Sequence, residues 1–74
     1  MMRDAITEGL MAALEQLPQE QREVFIMHEI EDKSFQEISE ITGANVNTLL
    51  SRKRYAILFL REQLQNLYND LFTT

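Results

Sequence analysis

The chain has 74 residues and an apolar content of 45%, which predicts one packed domain close to the lower size limit for a self-sufficient core. It contains no cysteine, so a disulfide framework and a thiolate metal site are excluded, and its formal net charge of −5 argues against a general nucleic-acid binder. No apolar run reaches membrane-spanning length and the N-terminus lacks a signal-peptide pattern, so we expect a cytoplasmic protein.

The first half of the chain predicts two helices. Residues 3–16 carry apolar side chains at i, i+4 and i+7, which form one stripe for burial: Ile6, Leu10, Ala13, Leu14 and Leu17. Pro18 disfavours the helical conformation at Leu17 and ends this helix. It can then serve in the first turn of a second helix over residues 18–30, where its missing N–H costs nothing.

The segment 34–61 predicts a helix-turn-helix. Ser34 and Glu37 have capping-box spacing at the start of a helix over residues 35–42. Gly43 can adopt the left-handed backbone that ends it. Asn45 can cap a fourth helix, which begins near Val46 and continues past residue 64, as far as residue 71 in the longest interpretation. In such a motif the second helix enters the DNA major groove.

Charge is distributed very unevenly along the chain. Residues 45–61 contain four bases and no acid, a charge of +4, whereas the rest of the chain carries −9. The bases are Arg52, Lys53, Arg54 and Arg61. A run of bases is ordinarily a solvated helix face, but this run follows a capped helix-turn-helix. We therefore interpret it as a DNA-contacting surface.

The apolar pattern predicts a shared core and an excess on the fourth helix. The expected core residues are Leu14, Val24, Phe25, Ile38, Ile41, Leu49, Ala56 and Leu60. The inward stripe of the fourth helix is interrupted by Lys53. Six further apolar residues exceed one buried stripe and predict a partner surface, or else side chains that fold back on the core: Ile57, Phe59, Leu64, Tyr68, Leu71 and Phe72.

The string LPQEQREVFIMHEIEDKSFQEISEITGANVNTLLSR resembles region four of bacterial sigma factors, especially the extracytoplasmic-function group. The features that carry the resemblance are the Leu17-Pro18 junction, the stretch 20–25, the Ser34-to-Ile38 motif, the glycine turn and the stretch 48–52. It covers roughly residues 10–62. It implies an all-α, four-helix domain without a wing, occupying residues 1–74 and excised from a longer sigma factor.

The resemblance implies that this domain recognises the upstream element of double-stranded promoter DNA and docks on the RNA polymerase core. An anti-sigma factor and a second copy, bound through the C-terminal part of helix four, are further partners that it allows. The chain departs from the family pattern at Leu50, Lys53 and Ile57. The DNA-facing positions implied by the resemblance are Thr48, Ser51, Arg52, Arg54 and Tyr55, with Phe35 and Gln36 near phosphates.

Two other functions remain open. The output domain of a response regulator has a similar four-helix layout, although the Leu17-Pro18 junction and the Ser51-Arg52 pair favour the sigma interpretation. A protein-interaction module would explain the acidic balance and the apolar excess of helix four. We expect no enzyme, metal or cofactor, because His28 has no second histidine, cysteine or convergent carboxylate pair near it in the sequence.

Overall fold

The computed structural model describes residues 5–72 of the chain, and side chains over residues 5–70. These residues form an all-α fold without strands, as the sequence predicts. In chain order the elements are α1 (Ala5–Gln16), α2 (Gln19–Phe25), a π-helical segment (Ile26–Ile30), α3 (Phe35–Thr42) and α4 (Val46–Phe72). Residues 3 and 4 of the predicted first helix lie outside the described residues.

The predicted caps of the helix-turn-helix are confirmed. The backbone N–H of Glu37 donates to Ser34 Oγ over 3.1 Å, and the N–H of Ser34 donates to Glu37 Oε1 over 3.2 Å. Gly43 ends α3 with φ of 80°. The Thr48 N–H donates to Asn45 Oδ1 over 2.8 Å, which satisfies one of the unpaired donors at the start of α4.

The second helix is continuous over residues 19–30, which confirms the predicted helix over 18–30, but its second half is a π-helix and not an α-helix. Residues Ile26–Ile30 form this π-helix, and the N–H of Glu31 donates to the carbonyl of Ile26 over 3.0 Å. A π turn holds an extra residue and rotates the side chains that follow it. Within this turn, His28 contacts Lys53 of α4.

The core consists of two clusters of buried side chains. The first joins α1 to the middle of α4: Ala13, Leu14, Leu17, Ala56 and Leu60. The second joins α2, α3 and the start of α4: Val24, Ile38 and Leu49. Six of the eight predicted core residues are therefore buried, divided between the two clusters.

Three apolar residues are less buried than the pattern predicts. Ile41 is 60% exposed, because it lies about 60° round the axis of α3 from the fully buried Ile38, at the end of a short helix. Phe25 is only half-buried and packs on the edge of the first cluster. Ile6 is 51% exposed, because it lies at the rim of an open groove between α1 and α4.

The long α4 continues beyond the helix-turn-helix and packs against α1. Its 27 residues span about 40 Å at 1.5 Å per residue. Leu67 of α4 packs over Gly9 of α1, where a Cβ atom would collide with the end of the Leu67 side chain. The far end of α4 thus packs on α1 and is not left without contacts; the side chains of residues 71 and 72 lie outside those described.

Between residues 5 and 72, no helix combines the length with the apolar character that crossing a membrane requires.

Candidate nucleic-acid interface

The turn between α3 and α4 is held by side chains as well as by Gly43. Ser39 Oγ donates to the carbonyl of Ala44 over 2.6 Å, and Thr42 Oγ1 accepts from the Ala44 N–H over 3.3 Å. Ile38 and Leu49 are both 0% exposed and pack in one cluster across this turn. These contacts fix the direction in which the first turns of α4 point.

The outward face of α4 presents most of the side chains predicted to face DNA. Ser51, Arg54 and Tyr55 are exposed, Tyr55 to 61%, and Thr48 is half-buried beside them. The face also includes Leu50, where the sequence departs from the family pattern, and two exposed residues that the prediction omitted, Asn47 and Leu58. The signal for Asn47 and Leu58 in the sequence was their helical spacing, since they lie on the side of α4 opposite Leu49, whereas Leu50 lies about 100° round the axis from Leu49.

The three consecutive bases of α4 have different surroundings. Arg52 is half-buried, and its guanidinium lies 3.5 Å from a carboxylate oxygen of Glu20 in α2. Lys53 is 13% exposed and forms an ion pair with Glu29. Arg54 is exposed, and its side chain has no hydrogen bond or ion pair with residues 5–70. Arg54 is therefore the base of this run that is available to a ligand without breaking an internal contact.

Lys53 is accommodated at its inward position by a polar and aromatic cluster. Its ammonium group donates to His28 Nδ1 over 2.5 Å and lies 5.7 Å from the centre of the Phe35 ring. The His28 and Phe35 rings stack with centroids 4.2 Å apart. The hydrogen bond and positive charge of Lys53 lower the pKa of the Glu29 carboxyl. His28 and Glu29 come from the π-helical segment, and Phe35 is the first residue of α3.

The two residues predicted near phosphates at the start of α3 differ in exposure. Gln36 is exposed, whereas Phe35 is half-buried in the Lys53 cluster. The structure thus groups Thr48, Ser51 and Arg54 with Tyr55 on one face of α4, and it leaves Phe35 in a packing position. The contacts of Glu20 and Glu29 with α4 have no local signal in the sequence, because each carboxylate is more than twenty residues from the base that it contacts.

A second surface of α4 is an apolar groove shared with α1. The groove has a volume of about 580 Å³, and Arg61 lies at its polar rim. Its apolar lining includes Ile6, Leu10, Phe25, Ile57, Leu64 and Tyr68. Three of the residues predicted to be in apolar excess, Ile57, Leu64 and Tyr68, therefore lie in one continuous depression.

No group of three or more histidine or carboxylate side chains in the described part of the chain is arranged to hold a metal ion. The polar side chains around Lys53 satisfy one another. The exposed face of α4 offers hydrogen-bond donors, the guanidinium of Arg54 and apolar groups, which is the chemistry of a binding surface.

Comparison with known proteins identified one family and one characterised relative. The family model described as "Sigma-70, region 4" matches residues 7–60. The chain is 40% identical over 52 residues to the RNA polymerase sigma factor SigV of Bacillus subtilis (strain 168). The match covers 70% of this chain and 31% of that protein, so the chain spans about a third of the length of its relative. No solved structure matches significantly.

Proposed function

Because the chain belongs to the sigma-70 region 4 family, we propose that it is the promoter-recognition domain of a sigma factor, with α4 bound in the major groove of the upstream promoter element. The observation that carries this proposal is the exposed face of α4, which follows a capped helix-turn-helix and presents Arg54 without an internal partner. The acids that outnumber the bases elsewhere disfavour binding of DNA to other faces.

Each predicted site residue has a role on this surface. Thr48, Ser51, Arg54 and Tyr55 contact DNA from the outward face of α4. Gln36 contacts a phosphate from the start of α3, where the helix dipole also favours an anion. Phe35 packs on His28 and holds the start of α3 in place. Arg52 reaches a phosphate at the edge of the surface, and Glu20 holds its side chain in place.

Besides DNA, the proposed partners are the remainder of a longer sigma factor and a protein that covers the apolar groove. Since the chain corresponds to 31% of the sigma factor that it matches, the parent protein supplies the regions that melt DNA. We assign the groove between α1 and α4 to a protein partner, the RNA polymerase core. An anti-sigma factor or a second copy of the chain competes for the same apolar surface.

A direct test compares two arginines, one on α4 and one on α2, in binding to promoter DNA. The full-length protein, bound to polymerase core, is titrated with a labelled promoter duplex at several salt concentrations. Arg54→Ala should weaken binding roughly 5- to 100-fold and relax base preference at one position, because a bidentate contact to a base is lost. Arg22→Ala is the control, since Arg22 lies on α2 and its guanidinium donates to the backbone carbonyl of Glu15.

The salt dependence of the same titration measures how many phosphates are contacted. Because Lys53 is paired inside the fold, at most three bases of α4 remain to contact DNA, Arg52, Arg54 and Arg61, and the log–log slope should be shallow, about −2 to −3. Equal effects of the two arginine variants, or no preference for promoter over scrambled duplex at low salt, would refute the promoter-recognition role.

One alternative function has an observation in its favour. The open groove, with Ile6 at 51% exposure, suits a module that mainly binds another protein. In that case Ile6→Glu would abolish binding to a protein partner, and Arg54→Ala would have no measurable effect. The response-regulator alternative is disfavoured by the family to which the chain belongs.

A further inference from the structure

We propose that Asn47 and Leu50 determine the base preference of α4, with Leu50 packing against the methyl group of a thymine and Asn47 hydrogen-bonding an adenine. This inference rests on the proposed DNA-binding function and specifies which bases that surface selects. Neither residue is among the positions that the sequence resemblance implies.

The register of α4 places four exposed side chains next to one another. Asn47, Leu50, Ser51 and Arg54 lie at i, i+3, i+4 and i+7, so they occupy one face of the helix, and all four are exposed. From Asn47 to Arg54 the helix rises about 10 Å, which matches about three base-pair steps of B-form DNA. The four side chains can therefore face consecutive bases within one reading surface.

Leu50 offers DNA an apolar side chain. Its neighbour Leu49 is fully buried, whereas Leu50 is 46% exposed and lines an open depression with Arg54 and with Phe35 of α3. A leucine cannot hydrogen-bond a phosphate or a base edge. Among the major-groove edges of the four bases, the C5-methyl group of thymine is the apolar feature that it can cover.

Asn47 offers DNA a side-chain amide. Asn45, two residues earlier, uses its side-chain oxygen to cap α4. Asn47 is exposed, and its side-chain amide has no hydrogen-bond partner within residues 5–70. A free amide can accept from N6 and donate to N7 of adenine, which is the pairing that asparagine makes in the major groove. The two asparagines thus have separate tasks, one within the helix and one towards DNA.

The test begins with selection of a bound element from random duplexes, using the full-length protein with core polymerase. Each thymine of the selected element is then replaced by deoxyuridine, which removes the methyl group and keeps the hydrogen bonds. At one position this replacement should weaken wild-type binding about fourfold, the loss expected for one buried methyl group. The Leu50→Ala protein should bind the thymine and deoxyuridine duplexes equally well.

Met11→Ala is the control, because Met11 is 47% exposed, much as Leu50 is, but lies on α1, outside the proposed DNA-binding face. Its protein should keep the fourfold response to the methyl group. Asn47→Ala should lose preference for adenine at one position, roughly 5- to 100-fold.

Two failures are distinguishable. The assignment of Leu50 is wrong if an element is selected but no replacement of thymine by deoxyuridine weakens binding of the wild type. It is also wrong if the replacement weakens binding of the Leu50→Ala protein. In both cases the promoter-recognition role stands. If the wild-type protein selects no element at all, both the role and the assignment are refuted.

Discussion

Leu49 and Leu50 are adjacent leucines of α4 in opposite environments, and they provide a matched pair for a stability measurement. Leu49 is 0% exposed in the cluster with Val24 and Ile38, whereas Leu50 is 46% exposed. Leu49→Ala should lower the free energy of unfolding by about 2–5 kcal/mol, because it removes buried contacts and leaves a cavity. Leu50→Ala should change it by less than about 0.5 kcal/mol. Urea denaturation of both variants measures the difference, and equal losses would contradict the register of α4.

The ion pair between Lys53 and Glu29 makes stability depend on pH. The hydrogen bond and charge of Lys53 lower the pKa of the Glu29 carboxyl below its ordinary value of 4.5. A lowered folded-state pKa stabilises the fold above that ordinary value, and the stabilisation is lost as the pH falls through the lowered value. The melting temperature of the wild type should therefore fall more steeply below about pH 4.5 than that of Glu29→Gln.

Glu40→Gln is the control for this measurement, since Glu40 is exposed on α3 and forms no ion pair within residues 5–70. It should follow the wild-type profile in the acid range. Identical profiles for the wild type and the Glu29→Gln protein would mean that the ion pair does not stabilise the fold in solution.

The crossing of α1 and α4 depends on the missing side chain of Gly9. A Cβ atom at this position would collide with the side chain of Leu67. Alanine is otherwise favoured over glycine within a helix by about 1 kcal/mol. Gly9→Ala should therefore stabilise the protein by about 1 kcal/mol in a Leu67→Ala background. In the wild-type background, where Leu67 is present, the same substitution should give no stabilisation or should lower the free energy of unfolding. Chemical denaturation of the four proteins gives the coupling energy; additive effects would contradict the close crossing.

The π-helical segment shows how one element supports another. It carries His28 and Glu29 to the side chain of Lys53, which occupies the inward stripe of α4. A regular α-helix would orient these residues differently. The segment thus stabilises a charged residue in the otherwise apolar inward stripe of α4, directly before Arg54 of the exposed face.

At the scale of the whole molecule, the apolar groove predicts self-association of the chain when no other partner covers it. Ile6 lies at the groove with 51% exposure, and Ile41 is 60% exposed on α3, outside it. Wild-type protein should form a two-fold dimer in sedimentation equilibrium, and Ile6→Glu should remain monomeric. Ile41→Glu should dimerise as the wild type does. A monomeric wild type at high concentration would exclude this use of the groove.

The sequence by itself determined the local features of this protein. The caps at Ser34 and Asn45, the left-handed Gly43 and the position of four helices follow from side chains within a few residues of each other, so short-range rules predict them. The sigma region-four resemblance also followed from the sequence, since it depends on a linear motif that spans most of the chain.

The tertiary structure decided which side chains are free to act. Arg52 and Lys53 resemble Arg54 in the sequence, but only contacts with Glu20 and Glu29, distant in the chain, distinguish them. Burial of Leu49 and exposure of Leu50 likewise depend on how α4 is rotated against α2 and α3. The exposure of Ile41 and the α1–α4 groove have the same origin. Periodicity fixes which residues share a helix face, but the packing of the other helices determines which face is covered.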